Sequence, residues 1–334
     1  MGWRARRHGG VSRSARAVRL ASRVKRPAQS TQRDTSPPIY GVDFTSAPRA
    51  AKPITVASGR LDGNVFRLGA LEEIATLGGY DAWLRRPGPW IAGFDFPFGL
   101  PRQALEDLGW PSRWPALTRY CTALGRSAMR NALDRYRAGR PVGNKLCYRR
   151  GDAAAGAHSP LKLVNPPVAL MFLEGACRLC TAEVTVPGMF AGDPGRIALE
   201  AYPGFAVRQL FGSRTRVSYK NDARCKQTSA QRQVRSAIVD RITAASGLHG
   251  VRLRTSAELL RVLRDDARGD HLDAVLCALQ AAWGWQRRFE AYGLPSQLDP
   301  VEGWIVTVPA PADGRGAGQA RSGRHSDWVN IRAR

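Results

Sequence analysis

Short apolar runs punctuated by turn residues alternate along this chain with longer stretches of helical spacing. Residues 39–44 form a compact apolar run around one acid, Asp43, and read as a buried strand. Residues 53–58 and 64–68 read as two more strands, joined through Gly59 and the hairpin signal Asp62-Gly63. Leu71, Ile74, Ala75 and Leu77 recur at helical spacing and predict a helix over 71–85, interrupted by Gly78-Gly79. Residues 90–94 are again an apolar strand, closed by Asp95 and followed by the rigid spacing of Pro97, Gly99 and Pro101. Residues 103–137 read as mostly helical and 138–168 as a Gly/Pro/Arg-rich loop. A strand over 196–201 carries Glu200. Helices follow over 227–245 and 270–292, and a last strand over 303–308. Three strands followed by strands interleaved with helices predict an α/β fold, a mixed sheet packed against helices.

Composition narrows the class. The 334 residues hold 51 Lys+Arg against 27 Asp+Glu, a net charge of +24, with 43% hydrophobic residues. Apolar content is ordinary for a folded protein. No run of about 18 apolar residues occurs, so no membrane span is expected. Only 6 of the basic residues are Lys, and Arg, Ala, Gly and Pro are all abundant. The charge thus has two readings: attraction to a polyanion, nucleic acid first, or coding bias toward those four residues. Residues 1–38 and 309–334 read as disordered basic tails around a single domain at 39–308, with a helical and loop insertion at about 103–190. The Arg-rich start lacks the apolar core of a signal peptide, which suggests a cytoplasmic protein, although its composition also fits a transit peptide or a basic arm. Cys177 and Cys180 have C-x-x-C spacing. No second pair follows, so reduced thiols are expected rather than a zinc site.

Five acids carry the candidate chemistry. Asp43 and Asp95 close apolar strands, Glu200 lies in another, and Asp270 and Asp273 sit three apart, on one face of the last helix. An acid among apolar strand residues is costly to bury without a partner, and several together repel one another unless a cation joins them. Hard divalent ions such as Mg²⁺ or Mn²⁺ take oxygen ligands of this kind. Against this stands a structural reading, in which each acid is a turn former or favours a helix N-terminus.

Gly41-Val42-Asp43, the run 95–101, Glu200-Ala201-Tyr202-Pro203 and Asp270-His271-Leu272-Asp273-Ala274, in this order, resemble the domain-of-unknown-function family 429. Arg149-Arg150-Gly151-Asp152, Asn165-Pro166-Pro167, Met171 and Glu302-Gly303-Trp304-Ile305 add to the likeness, which spans about 40–308. Members of that family carry the prediction of an RNase H-like nuclease. The resemblance implies a five-stranded mixed sheet with its first three strands antiparallel and helices on both faces. It also implies a metal-binding core of Asp43, Asp95 and Asp273, an additional acid at Asp270, as in RuvC-type resolvases, and a motif acid at Glu200. Mg²⁺ or Mn²⁺ and a DNA or RNA substrate come with it.

Lys220 and Arg150 are candidates to contact phosphate, the first as a point charge and the second as a fork. Both also read as solvated surface charges. His271, between the helix acids, is a candidate proton shuttle, offset from their face. Residues 214–235 hold seven basic residues against one acid, Asp222, a candidate backbone-tracking stretch. Three functions compete: a metal-dependent nuclease, a nucleic-acid binder without catalysis, and a nucleotide phosphotransferase of the actin-like type. The third lacks a Gly-rich phosphate loop here.

Overall fold

The computed structural model describes residues 36–214 and 216–310. The expected tails lie almost wholly outside the described residues. Ser36 is buried, and its Oγ accepts from the Leu61 amide at 2.7 Å, so the folded unit begins at least three residues before 39.

Among the described residues seven strands form one mixed sheet: β1 (Ile39–Asp43), β2 (Ile54–Asp62), β3 (Val65–Ile74), β4 (Trp90–Phe94), β5 (Val184–Thr185), β6 (Asp193–Glu200) and β7 (Arg252–Arg254). Their spatial order is β5-β6-β4-β1-β2-β3-β7. The first three are antiparallel, and β4, β6, β5 and β7 each join a neighbour in parallel. Five strands were expected. The two additional ones, β5 and β7, are edge strands of two and three residues, too short for any alternation to show. The expected last strand over 303–308 is a single parallel bridge, Glu200 to Ile305. Positive φ at Gly303 (74°) and Thr307 (72°) turns the backbone out of strand geometry on either side of it.

The helices are α1 (Leu77–Leu84), α2 (Arg102–Leu108), α3 (Trp114–Ala138), α4 (Arg150–Ala155), α5 (Val168–Met171), α6 (Cys177–Thr181), α7 (Pro203–Phe211), α8 (Ser229–Thr243), α9 (Ala257–Asp265) and α10 (Asp270–Gln286). Helix was expected from Leu71. Instead β3 runs to Ile74, because its pairing with β2 continues to Ile54 across a bulge at Ser58/Gly59 that shifts the side-chain alternation. Helix α1 begins only after Thr76, whose Oγ1 accepts from the Gly79 amide at 3.0 Å.

Strand alternation divides the interior in two. Val42 and Phe44 of the β1 segment, with Trp90, Ala92 and Phe94 of β4, face a core built from α1, α2, α3, α5 and α6. Ile39 and Ile91 face the other core, with α7, α8, α9 and α10. Gly41 and Asp43 share this second face with Ile39. Gly93 and Asp95 share it with Ile91. It is the face on which α10 lies.

Candidate metal centre

Two glycines let α10 reach the sheet. Gly41 and Gly93 are Cα partners in the parallel β1–β4 pair. A Cβ on Gly41 would stand 2.0 Å from the Ala274 carbonyl oxygen and 2.1 Å from the Ala278 nitrogen. One on Gly93 would stand 2.4 Å from the Cys277 carbonyl oxygen. No side chain fits there, so α10 rests on bare backbone. Two residues further along each strand, on the same face, come Asp43 and Asp95. One turn earlier on the helix comes Asp273. The Asp95 amide donates to the Val42 carbonyl at 2.9 Å, which keeps the two strand ends in register. One carboxylate oxygen from each of Asp43, Asp95 and Asp273 lies within 4.8 Å of the other two. Among the described residues no other group of three such side chains comes together in this way, and the six cysteines are all free thiols.

Their surroundings are largely closed. Asp43 is 8% exposed, Asp273 is fully buried and Asp95 is half-buried. No described residue donates a hydrogen bond or forms an ion pair with the Asp43 or Asp95 carboxylate. Asp273 is different. Its Oδ1 accepts from the Tyr219 hydroxyl at 2.6 Å, and its Oδ2 is ion-paired with the Lys220 ammonium. Burial, with added repulsion from Asp273, Asp270 and Asp95, holds the Asp43 carboxyl well above the usual carboxylate range, against the pull of Lys220. Burial and then Asp273 push Asp95 up to about 7. Asp273 is also raised by burial, with Lys220 and Tyr219 pulling back. For Lys220, burial alone would lower the pKa. Asp273, Tyr219 and Asp43 outweigh it and hold the ammonium well above its ordinary value.

Tyr219 and Lys220 come from the loop between α7 and α8, and the start of α8 fastens that loop. Gln231, which also completes a capping box with Thr228, donates through Nε2 to the Ser218 hydroxyl at 3.1 Å and the Lys220 carbonyl at 3.2 Å. Buried Arg235 donates to the Tyr219 carbonyl at 2.8 Å. The basic stretch 214–235 therefore splits. Lys220 and Arg235 serve the interior, whereas Arg214, Arg216, Arg224, Lys226 and Arg232 are exposed.

The remaining expected site residues are not among the three that converge. Asp270, in the first turn of α10, is buried between Lys52 Nζ (3.6 Å) and Arg268 Nε (3.5 Å) at the edge of the cluster. His271 turns away: its Nδ1 lies 2.9 Å from Asp266 and its Nε2 3.3 Å from Glu73. Glu200 pairs in register with Phe94 and so shares the opposite face of the sheet from Asp95. There it accepts from Arg149 Nη1 (2.8 Å) and Nη2 (2.5 Å) and from the Phe98 amide (2.9 Å). Arg150 is exposed, with its amide on Glu302 at 3.3 Å.

The neighbouring Arg149, part of the 149–152 motif but not among the expected site residues, is 2% exposed. It forks between Glu200 and Asp152 and also reaches the Glu302 carbonyl at 2.8 Å. This knot holds Phe98, three residues beyond Asp95, and so fixes the loop that presents Asp95. Tyr219 stands out in the sequence only as the one aromatic within the basic stretch 214–235, which gives weak support for base stacking; in an irregular loop no periodic signal points it at Asp273.

An α/β protein with a mixed sheet and three converging carboxylates is thus defined. The chain belongs to the family described as Protein of unknown function (DUF429), which matches residues 41–292. No curated protein and no solved structure matches it significantly. Among the described residues no helix is long and apolar enough to cross a membrane.

Proposed function

We propose that the chain is a metal-dependent nuclease that hydrolyses phosphodiester bonds in nucleic acid on an RNase H-like scaffold. The observation that carries this reading is the convergence of Asp43, Asp95 and Asp273 from two parallel strands and a helix, with the first two carboxylates unpaired among the described residues. Three antiparallel strands continued by parallel ones, with an acid ending the first, one directly after the fourth and one on the last α-helix, support the scaffold.

The residues fit a hard divalent cation. All three donors are carboxylate oxygens, and their mutual repulsion at this depth is relieved by a positive charge between them. Asp43, Asp95 and Asp273 would hold Mg²⁺ or Mn²⁺. When bound, the ion supplies Lewis-acid stabilisation of the charge that builds on the phosphate and promotes ionisation of the attacking water. The protein's own residues do the rest. The glycine-lined approach of α10 sets the carboxylate spacing, and the Arg149 knot sets the Asp95 loop. Lys52, Arg268 and Lys220 border the cluster as cations that a phosphate backbone would meet. Water attacks phosphorus, the bond to the 3′ oxygen breaks, and the products carry a 3′-hydroxyl and a 5′-phosphate.

Labelled single- and double-stranded DNA and RNA, an RNA–DNA hybrid and a four-way junction, each with Mg²⁺, Mn²⁺ or EDTA, test this. Cutting that needs the metal and is lost in Asp43→Asn/Asp273→Asn supports it. Salt-sensitive binding equal in both proteins, with no cutting, would instead favour a non-catalytic nucleic-acid binder.

A further inference from the structure

We propose that Lys220 is the resident counter-ion of the acid cluster in the metal-free protein, and that a divalent cation enters by displacing its ammonium from Asp273. This rests on the metal-binding reading above and adds how the site is kept and opened.

Both oxygens of Asp273 are engaged, Oδ1 by Tyr219 and Oδ2 by Lys220. Each oxygen keeps a second lone pair, so charge rather than occupancy opposes a divalent ion here, and of the two partners only Lys220 carries that charge. Tyr219 is a poor candidate to leave: it is buried, and its backbone carbonyl is tied to Arg235. Lys220 is suited to it. Its side chain is 33% exposed, so the ammonium has water to move into. Its backbone stays in place, because its carbonyl accepts from Gln231 and the next amide, of Asn221, donates to the Ala267 carbonyl at 3.2 Å. Only the flexible four-carbon stem has to swing.

Charge makes the two occupants alternatives. Among the described residues Lys220 is the sole cation within ion-pair distance of any of the three carboxylates. An ammonium and a divalent ion on the same carboxylate repel one another strongly in so closed a place. Residue choice agrees. In a chain with 6 Lys and 45 Arg, this position is Lys. A guanidinium fork would grip the carboxylate with two bonds, whereas an ammonium is a point charge that one swing removes. The device favours divalent over monovalent ions, since only the former gains enough from three carboxylates to replace a charge already present.

Mn²⁺ titration calorimetry on wild type, Lys220→Met and Tyr219→Phe tests the proposal. Removing the competing charge should lower the Mn²⁺ dissociation constant of Lys220→Met about tenfold or more. Tyr219→Phe, which leaves the competitor in place, should change it much less. Wild-type binding with equal or weaker binding by Lys220→Met overturns the displacement and leaves the metal reading standing. Absence of binding by every protein overturns both. Should Lys220→Met fail to fold, reductive methylation of wild-type lysines read by mass spectrometry decides. Saturating Mg²⁺ should raise labelling at Lys220 several-fold and leave Lys145, an exposed lysine far along the chain, unchanged. Unchanged labelling at Lys220 with Mg²⁺ bound overturns the proposal.

Discussion

Gly41 and Gly93 face each other across the β1–β4 pair, and the backbone of α10 lies on both of them. Each glycine is followed two residues later by an aspartate on the same face. The close approach that the glycines permit is therefore also what brings Asp273 down to Asp43 and Asp95.

A methyl group at either glycine should act on fold and site together. Gly41→Ala meets backbone atoms at 2.0 and 2.1 Å, which cannot yield as a flexible side chain would. The expected loss is about 3 kcal/mol or more, at or beyond the upper end for overpacking, with cation binding lost as α10 lifts. Gly69→Ala, whose Cβ would find its nearest neighbour at 3.7 Å, should leave stability within about 1 kcal/mol of wild type. Urea denaturation of both variants checks this.

The acid cluster should contribute to stability with the sign opposite to that of carboxylates such as Asp266 and Asp299, which are held below their usual range. Asp43 and Asp95 have folded pKa values above the unfolded value, so the folded state holds more protons than the unfolded one in that interval. Their contribution to stability is complete below about pH 4 and is lost as pH rises through the folded values, about 7 for Asp95. In EDTA, Asp95→Asn should flatten this fall, and Mg²⁺ should restore wild-type stability above it. Thermal melts across that range, with and without metal, give the answer.

Arg149 neutralises two carboxylates that are themselves buried. Removing it leaves Glu200 and Asp152 unpaired, at a cost of about 3–5 kcal/mol. Arg149→Met should therefore unfold at markedly lower urea, and Arg149→Lys should recover only part of the loss, since an ammonium cannot fork between both partners. Cation affinity should fall in both, because Phe98 and the Asp95 loop lose their anchor.

His271 is predicted to matter for stability rather than chemistry. Its hydrogen bond to Asp266, opposed by burial and helped by the Asp266 and Glu73 charges, raises its pKa. The stabilisation is complete below about pH 6.5 and fades as pH rises through the folded value. In urea denaturation, His271→Gln should cost about 1 kcal/mol in acid and little in alkali.

Much of the site could be read before the fold, for a physical reason. An acid at the edge of an apolar run is conspicuous: Asp43 and Asp95 close such runs, and Asp273 opens one. Glu200 looked the same in sequence, but face depends on pairing register, and its partner Phe94 points away from Asp95. Arg149 and Arg150 are neighbours in an irregular segment, where nothing in the residue pattern says which one is buried. The helix expected from Leu71 yielded to β3 because a bulge disguised the strand period, and β5 and β7 were too short to show one.

Asp43, Asp95 and Asp273 together make up the proposed divalent-cation site. Crystals grown with Mn²⁺ test it by anomalous scattering. A peak bounded by Asp43, Asp95 and Asp273, with the Lys220 ammonium withdrawn from Asp273, is expected. Diffraction from saturated crystals with no peak there, and Lys220 still paired to Asp273, would contradict it.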